Sequence, residues 1–332
     1  MHLVRGDEVE SSHRVHGVVV GLEDGEVRCG EPDLLAYWRS SAKPFQALPV
    51  VQEGAAERFE MDAADLALCC ASHAGTAGHV TRVRDLLERI GLSSSALACG
   101  AHRPYDEEAA RALERSGEDF APIHNNCSGK HAGMLARAVH AGEPVEGYLE
   151  YDHPVQERFR EGLSRWLDVE PDRLGWATDG CGVPTPYLSL RQMARAYGRL
   201  VRAAAEGDGA ASDVAAAMTR HPELVSGEGR LTTRLLRAGE GELLAKEGAE
   251  GVLCLAGVDR GWGMALKVLD GSKRAMGPAA ADLLHRLELV SPAALERLED
   301  ERTREVRNTR DEAVGRLQAE LSVRSGHVAG RV

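Results

Sequence analysis

The chain has 332 residues, 43% of them hydrophobic, and a formal net charge of -12 from 52 acidic and 40 basic residues. That length buries a large core, and an acidic balance with no long basic run argues against a nucleic-acid surface while leaving a small polar substrate open. Residues 1–10 are charged, and no stretch nears the roughly 18 apolar residues a bilayer span needs, so the expectation is a cytoplasmic protein without membrane contact. Seven cysteines in such a chain predict reduced thiols rather than a disulfide framework.

In chain order, 15–20 and 23–27 read as two strands around an Asp-Gly turn. The spacing of Phe45, Leu48 and Val50 predicts a helix over 42–54, with Pro44 tolerated in its first turn. Residues 66–71 form a short apolar run, strand or helix, that delivers Ser72-His73-Ala74-Gly75 at its end. Helical patterns follow at 79–90, 107–116, 132–141, 154–167 and 188–205. The alanine-rich stretch 210–217 reads as a surface helix entering the loop His221-Pro222-Glu223. Residues 251–255 and 262–269 suggest a second hairpin, and the densely charged 292–321 reads as a helix that Asn308-Thr309-Arg310-Asp311 would split. No linker or repeat separates domains, so the chain reads as one unit over 1–332, with sheet from 1–40 and 246–325 and a helical middle over 41–240.

The densest chemistry lies in His124-Asn125-Asn126-Cys127-Ser128-Gly129-Lys130-His131-Ala132-Gly133-Met134. If a helix opens at Ser128 or Gly129, Cys127 and Lys130 project to one side of its first turn, and the two glycines let the backbone approach a ligand. Arg39-Ser40-Ser41-Ala42-Lys43 holds a Ser-x-x-Lys at a helix start, where hydroxyl and amine share a face. On its own the same tetrapeptide also fits a capping serine beside a solvated lysine. Lys246-Glu247-Gly248 resembles the Lys-x-Gly element lining the far side of serine-lysine sites, or else an ordinary turn entering a strand. Ser72 could pass a proton to a leaving amine. Cys127 and Cys181, the latter in the turn-rich Thr178-Asp179-Gly180-Cys181-Gly182-Val183-Pro184, suit a tetrahedral zinc site completed by His131, Lys130, Asp179 or water, or are two unrelated buried cysteines.

These pieces recur in one order. Arg39-Ser40-x-x-Lys43-Pro44-x-Gln46-Ala47-Leu48, Ala71-Ser72-His73, Asn125-Asn126-Cys127-Ser128-Gly129-Lys130-His131, Tyr151-Asp152-His153-Pro154-x-Gln156, Asp179-Gly180-Cys181 and Lys246-x-Gly248-Ala249-Glu250-Gly251-Val252 together resemble the rhizobial-type (class 3) L-asparaginases. The resemblance implies an α+β fold like that of serine β-lactamases and glutaminases, a central mainly antiparallel sheet flanked by helices with an attached helical region, and a homodimer. It implies two serine-lysine pairs, Ser40 with Lys43 and Ser72 with Lys246, Lys267 being the rival for the last place. It also implies a zinc ion (Zn2+) held by Cys127, Lys130 and Cys181 with water, and it leaves Arg39, Asn126, His131 and Asp179 to bind an amino-acid substrate. The expected reaction is hydrolysis of the L-asparagine side-chain amide through an acyl-enzyme on Ser40, with Ser72 as the other candidate nucleophile. Two other readings remain: a zinc-water amidohydrolase on a related amide such as glutamine, and a non-catalytic amino-acid-binding protein. The balance between asparagine and glutamine rests on one methylene and is not legible in these residues.

Overall fold

The computed structural model describes residues 1–23 and 25–326. Asp24, and with it the centre of the expected Asp-Gly turn, lies outside the described residues. The chain is a mixture of helices and antiparallel sheets, an α+β arrangement, and it divides into two compact units. No helix among the described residues is long and apolar enough to cross a membrane.

The first unit comprises Met1–Ser41, Leu188–Arg202 and the chain from Ala238 onward. Its six-stranded sheet runs in the order Val323–Gly326, Gly25–Cys29, Val15–Leu22, Gly263–Val268, Val252–Gly257, Leu243–Glu247, antiparallel at every step. Every residue of Val252–Gly257 is buried, which explains why this strand reads as a continuous apolar run rather than an alternation. A four-stranded antiparallel sheet joins Glu305–Arg307, Ala313–Gln318, His2–Arg5 and Glu8–Ser12. Both sheets combine the two ends of the sequence.

The second unit, Ala42–Tyr187 with Ala203–Arg237, is mostly helical. The helix Ala63–Cys69 starts from Asp62, whose carboxylate accepts the Asp65 N–H at 2.8 Å in a capping box. The expected helices appear as Lys43–Gln52, Ala77–Arg89, Glu107–Ser116, Ser128–Ala141 and Pro154–Leu167, and the 66–71 run proves helical.

Four expectations need correction. The helical middle is interrupted by a ribbon in which Gly175–Thr178 pairs antiparallel with Pro184–Ser189; Trp176, Thr178, Thr185 and Tyr187 favour the extended backbone and Gly182, at φ 93°, permits the turn between. The alanine-rich helix, Gly209–Arg220, is not a surface element: Ala211, Val214, Ala217 and Met218 are fully buried, and its small side chains let it pack closely on Lys43–Gln52 and Ala63–Cys69. The stretch 292–321 holds only two short helices, Pro292–Arg297 and Glu299–Arg302, before it turns to strand. The Asn308–Asp311 turn, closed by the Asn308 side chain and by Asp311 at φ 62°, makes a hairpin of it, and pairing with His2–Arg5 outweighs its helical charge pattern. Finally, Lys246 is not in a turn but within the strand Leu243–Glu247.

Candidate active site

Each unit gathers part of the predicted constellation. In the first unit, Arg39 and Ser40 are half-buried in a 3-10 turn, Arg39–Ala42, where Arg39 takes the left-handed conformation at φ 54°. The turn is fixed by its buried neighbour Ser41, whose hydroxyl donates to the Lys246 carbonyl at 2.9 Å and whose own carbonyl accepts the Tyr197 hydroxyl at 2.7 Å. Gly248 packs against the same turn, since a Cβ there would meet the Trp38 carbonyl at 3.0 Å and the Ser41 Oγ at 3.1 Å. The Lys246 side chain is fully buried, with Nζ donating to the Glu247 carbonyl at 2.9 Å. Lys267 is half-buried near the end of the strand Gly263–Val268, its Nζ donating to the Glu250 and Val268 carbonyls, each at 2.6 Å. Cys254, beneath Lys246 in the sheet register, has its thiol pushed up to about 12, by burial above all.

In the second unit the amine of Lys43 is the centre. Lys43 opens its helix and is 1% exposed; Nζ donates to the Ala71 carbonyl at 2.5 Å and to the Ser72 Oγ at 3.0 Å. Ala71 and Ser72 arrive there because the helix Ala63–Cys69 stops and the chain leaves it extended, held by Ser72 N–H to the Val225 carbonyl (2.9 Å) and His73 N–H to the Asn126 carbonyl (3.1 Å). The buried His73 ring donates through Nε2 to Ser128 Oγ at 2.9 Å, its Nδ1 being taken by the Gly75 N–H.

The second bond ties this loop to the segment carrying the thiols. Asn125 shapes that segment by donating to the carbonyls of Cys99 and Gly100 and accepting the Cys127 N–H at 2.9 Å. Cys127 is then the residue before the helix Ser128–Ala141, and Lys130 and His131 lie buried in its first turn. Lys130 Nζ donates to Cys181 Sγ at 2.8 Å. Cys127 and Cys181 share a hydrogen bond, which lowers the Cys127 thiol against the effect of burial and with help from the charges of Lys43 and Lys130. Cys181 is pushed up by the same bond and by its burial. Burial opposes the charge of Lys130, but Cys181, Cys127 and Asp179 outweigh it and raise the ammonium well above its usual range. Burial drives His131 down to about 4. Half-buried Asn126 accepts from the Cys127 thiol at 3.6 Å, and Asp179 closes the turn before Cys181.

The two glycines of the motif serve a purpose other than the one expected. A Cβ at Gly129 would lie 2.4 Å from the Leu68 carbonyl, and one at Gly133 would lie 2.7 Å from Cys69 Sγ. They are absent side chains where the helix Ser128–Ala141 crosses Ala63–Cys69, not an opening for a ligand. Sequence reasoning passed over Asn125, Tyr148 and Cys99, and it gave His73 a structural role. Tyr148 bonds His131, and Cys99, pushed up to about 11 by burial and then by Cys181, sits beside the thiol pair. Asn125 lay within the quoted motif, and its place before Cys127 was the available signal.

As a donor set, two buried thiols and an amine 2.8 Å from the Cys181 sulfur fit a thiophilic divalent cation. Among the described residues no three histidine, cysteine, aspartate or glutamate side chains are placed to hold a metal ion, so a metal here needs the lysine as its third protein donor.

The second unit thus holds a buried hydroxyl and amine in hydrogen bond and, in the same unit, a buried thiol bonded to a second buried amine. The family profile described as L-asparaginase II matches residues 1–319, and the chain belongs to that family of amidohydrolases, the one the motifs indicate. A search of curated proteins gave no match.

Proposed function

We propose that this chain hydrolyses the side-chain amide of L-asparagine to L-aspartate and ammonia through a serine-lysine acyl-enzyme. The observation carrying this reading is the 3.0 Å hydrogen bond between Lys43 Nζ and Ser72 Oγ, both buried, in a chain of the L-asparaginase II family. Ser40 is assigned as nucleophile from its Ser-x-x-Lys spacing alone. Its oxygen bonds to the amide carbon while its proton passes to Lys43; collapse of the adduct breaks the C–N bond as the departing nitrogen takes the Ser72 proton, which Lys43 replaces across their 3.0 Å hydrogen bond. Water then cleaves the ester and regenerates the hydroxyl. Lys246 is the second lysine of the reading, favoured over Lys267 because its strand end is bonded to the turn bearing Ser40. Arg39, Asn126 and Asp179 are assigned to substrate.

Zinc is part of the same proposal. Held by Cys127, Lys130 and Cys181, it would supply a Lewis-acid position for the amino-acid head group. The chain's own contribution is to keep two sulfurs and an amine buried, with the Cys127 thiol held well below its ordinary value. We read the chain as one catalytic entity with a fold of the serine β-lactamase type. We expect a homodimer, which sedimentation velocity checks.

Intact-protein mass spectrometry after brief exposure to asparagine tests the chemistry. The parent protein should carry an acyl adduct and the Ser40→Ala protein none. An adduct that persists on Ser40→Ala and vanishes on Ser72→Ala would transfer the nucleophile to Ser72, and a parent protein releasing no ammonia would end the reading. Cys127→Ser and Cys181→Ser should lower the zinc content measured by elemental analysis while the fold survives.

A further inference from the structure

The exit loop of the helix Ala63–Cys69 places a histidine directly after the serine that Lys43 reaches, and a ring in that position is the usual candidate for the serine's base. His73 is not built for that task. It is fully buried, its Nε2 lies 2.9 Å from Ser128 Oγ, and its Nδ1 accepts the Gly75 N–H at 3.1 Å, so neither nitrogen is left to meet a substrate. The ring also stacks on His79, the centroids 5.0 Å apart and the planes 15° from parallel. His79 is itself fixed at both nitrogens, 2.6 Å from Thr76 Oγ1 and 3.1 Å from the Glu223 carbonyl. Gly75, at φ 79°, turns the chain there, and a Cβ on it would meet Pro104 at 3.0 Å and the His124 carbonyl at 3.2 Å. Ser72 therefore stands between two anchors: its own N–H on the Val225 carbonyl and, on the other side, a histidine held by its backbone N–H and by its ring. The contact those anchors serve is a single hydrogen bond of 3.0 Å to a lysine on a flexible stem.

We propose that His73 is a positioning residue for Ser72: anchored on Ser128 and stacked on His79, it fixes the exit loop so that the Ser72 hydroxyl stays on the Lys43 amine. The part Ser72 takes in the reaction rests on the function proposed above; the anchoring of its loop does not. A hydroxyl kept on the amine can give its proton to the departing nitrogen and be refilled, and a displacement of about 1 Å from such a placement costs on the order of 100-fold. The anchor thus bears on the step in which the C–N bond breaks, and much less on a substrate whose leaving group needs no proton.

Two substrates separate this role from plain packing: L-asparagine, followed by ammonia release, and an aryl ester of the L-aspartate side-chain carboxylate, whose phenolate departs unprotonated. His73→Leu should lower kcat for asparagine about tenfold to hundredfold, with KM kept within about threefold and the ester affected at least about fivefold less. His73→Gln, whose amide keeps an N–H near the Nε2 position, should restore most of the loss. Added to Ser72→Ala, His73→Leu should cost nothing more, because a residue that acts through Ser72 then has nothing left to place. Equal losses on amide and ester, or a further loss of about tenfold in the double variant, overturn the proposal. If His73→Leu fails to fold, Ser128→Ala breaks the same hydrogen bond from its other end and is held to the same outcomes. A parent protein that releases no ammonia ends the proposed function and this role with it, whereas an active parent matched by His73→Leu ends this role alone.

Discussion

The amine of Lys43 has almost no water around it and is bonded to a carbonyl and a hydroxyl that also need a partner. Replacing it by methionine keeps the unbranched stem and removes the donor. General acid-base groups contribute roughly 100-fold to 10,000-fold, so Lys43→Met should lower ammonia release from asparagine by at least about 100-fold. The urea midpoint should move only by the order of one lost hydrogen bond, about 1 kcal/mol. An unchanged rate would take Lys43 out of the proton path. At this scale the sequence exposed chemistry wherever the partners were close neighbours, as with Cys127 and Lys130 three apart at a helix start. It did not show that Lys43 would meet Ser72, 29 residues on, because that meeting depends on where the helix Ala63–Cys69 stops and how its exit loop is tied.

The crossing of Ser128–Ala141 over Ala63–Cys69 depends on two missing side chains. Gly129→Ala forces a methyl toward the Leu68 backbone and should cost about 1–3 kcal/mol, the usual range for overpacking. Gly162→Ala, exposed on the helix Pro154–Leu167 with open space around its Cβ, should instead gain up to about 1 kcal/mol from helix propensity. Chemical denaturation of the two variants checks both signs, and a neutral Gly129→Ala would mean that the helices slide apart freely. The glycines were misread because close approach to a ligand and close approach to a helix ask the same thing of a residue. For a like reason 292–321 resembled a helix: its charges suit an exposed helical face equally well as the exposed side of an edge hairpin.

Stability of the whole molecule should depend on acid. His73 is held well below its ordinary value of 6.5 by burial, then by His79 and Lys43, and His79 is lowered as well, by burial first. Above that value both the native and the unfolded chains leave these rings neutral. As pH falls through it, the unfolded chain binds protons that the native one refuses, so stability declines toward acid, by at most about 1.4 kcal/mol per pH unit for each such ring. Urea midpoints at pH 7 and pH 5 should therefore differ, the lower at pH 5; equal midpoints would contradict the neutral burial of His73. At this scale the α+β class was legible from short apolar runs and hairpin signals at the two ends of the sequence. The order of the strands was not, since periodicity says which face of a strand is apolar and nothing about its neighbours.

That order has a consequence for synthesis. The strand Val15–Leu22 finds one partner at once, in Gly25–Cys29, but its other edge waits for Gly263–Val268. While the ribosome adds some 240 residues, a run of valines with an unfilled edge trails behind the nascent chain, an invitation to intermolecular pairing. The first unit thus closes last, and heterologous production should be limited by chaperone supply during translation rather than by the durability of the finished protein.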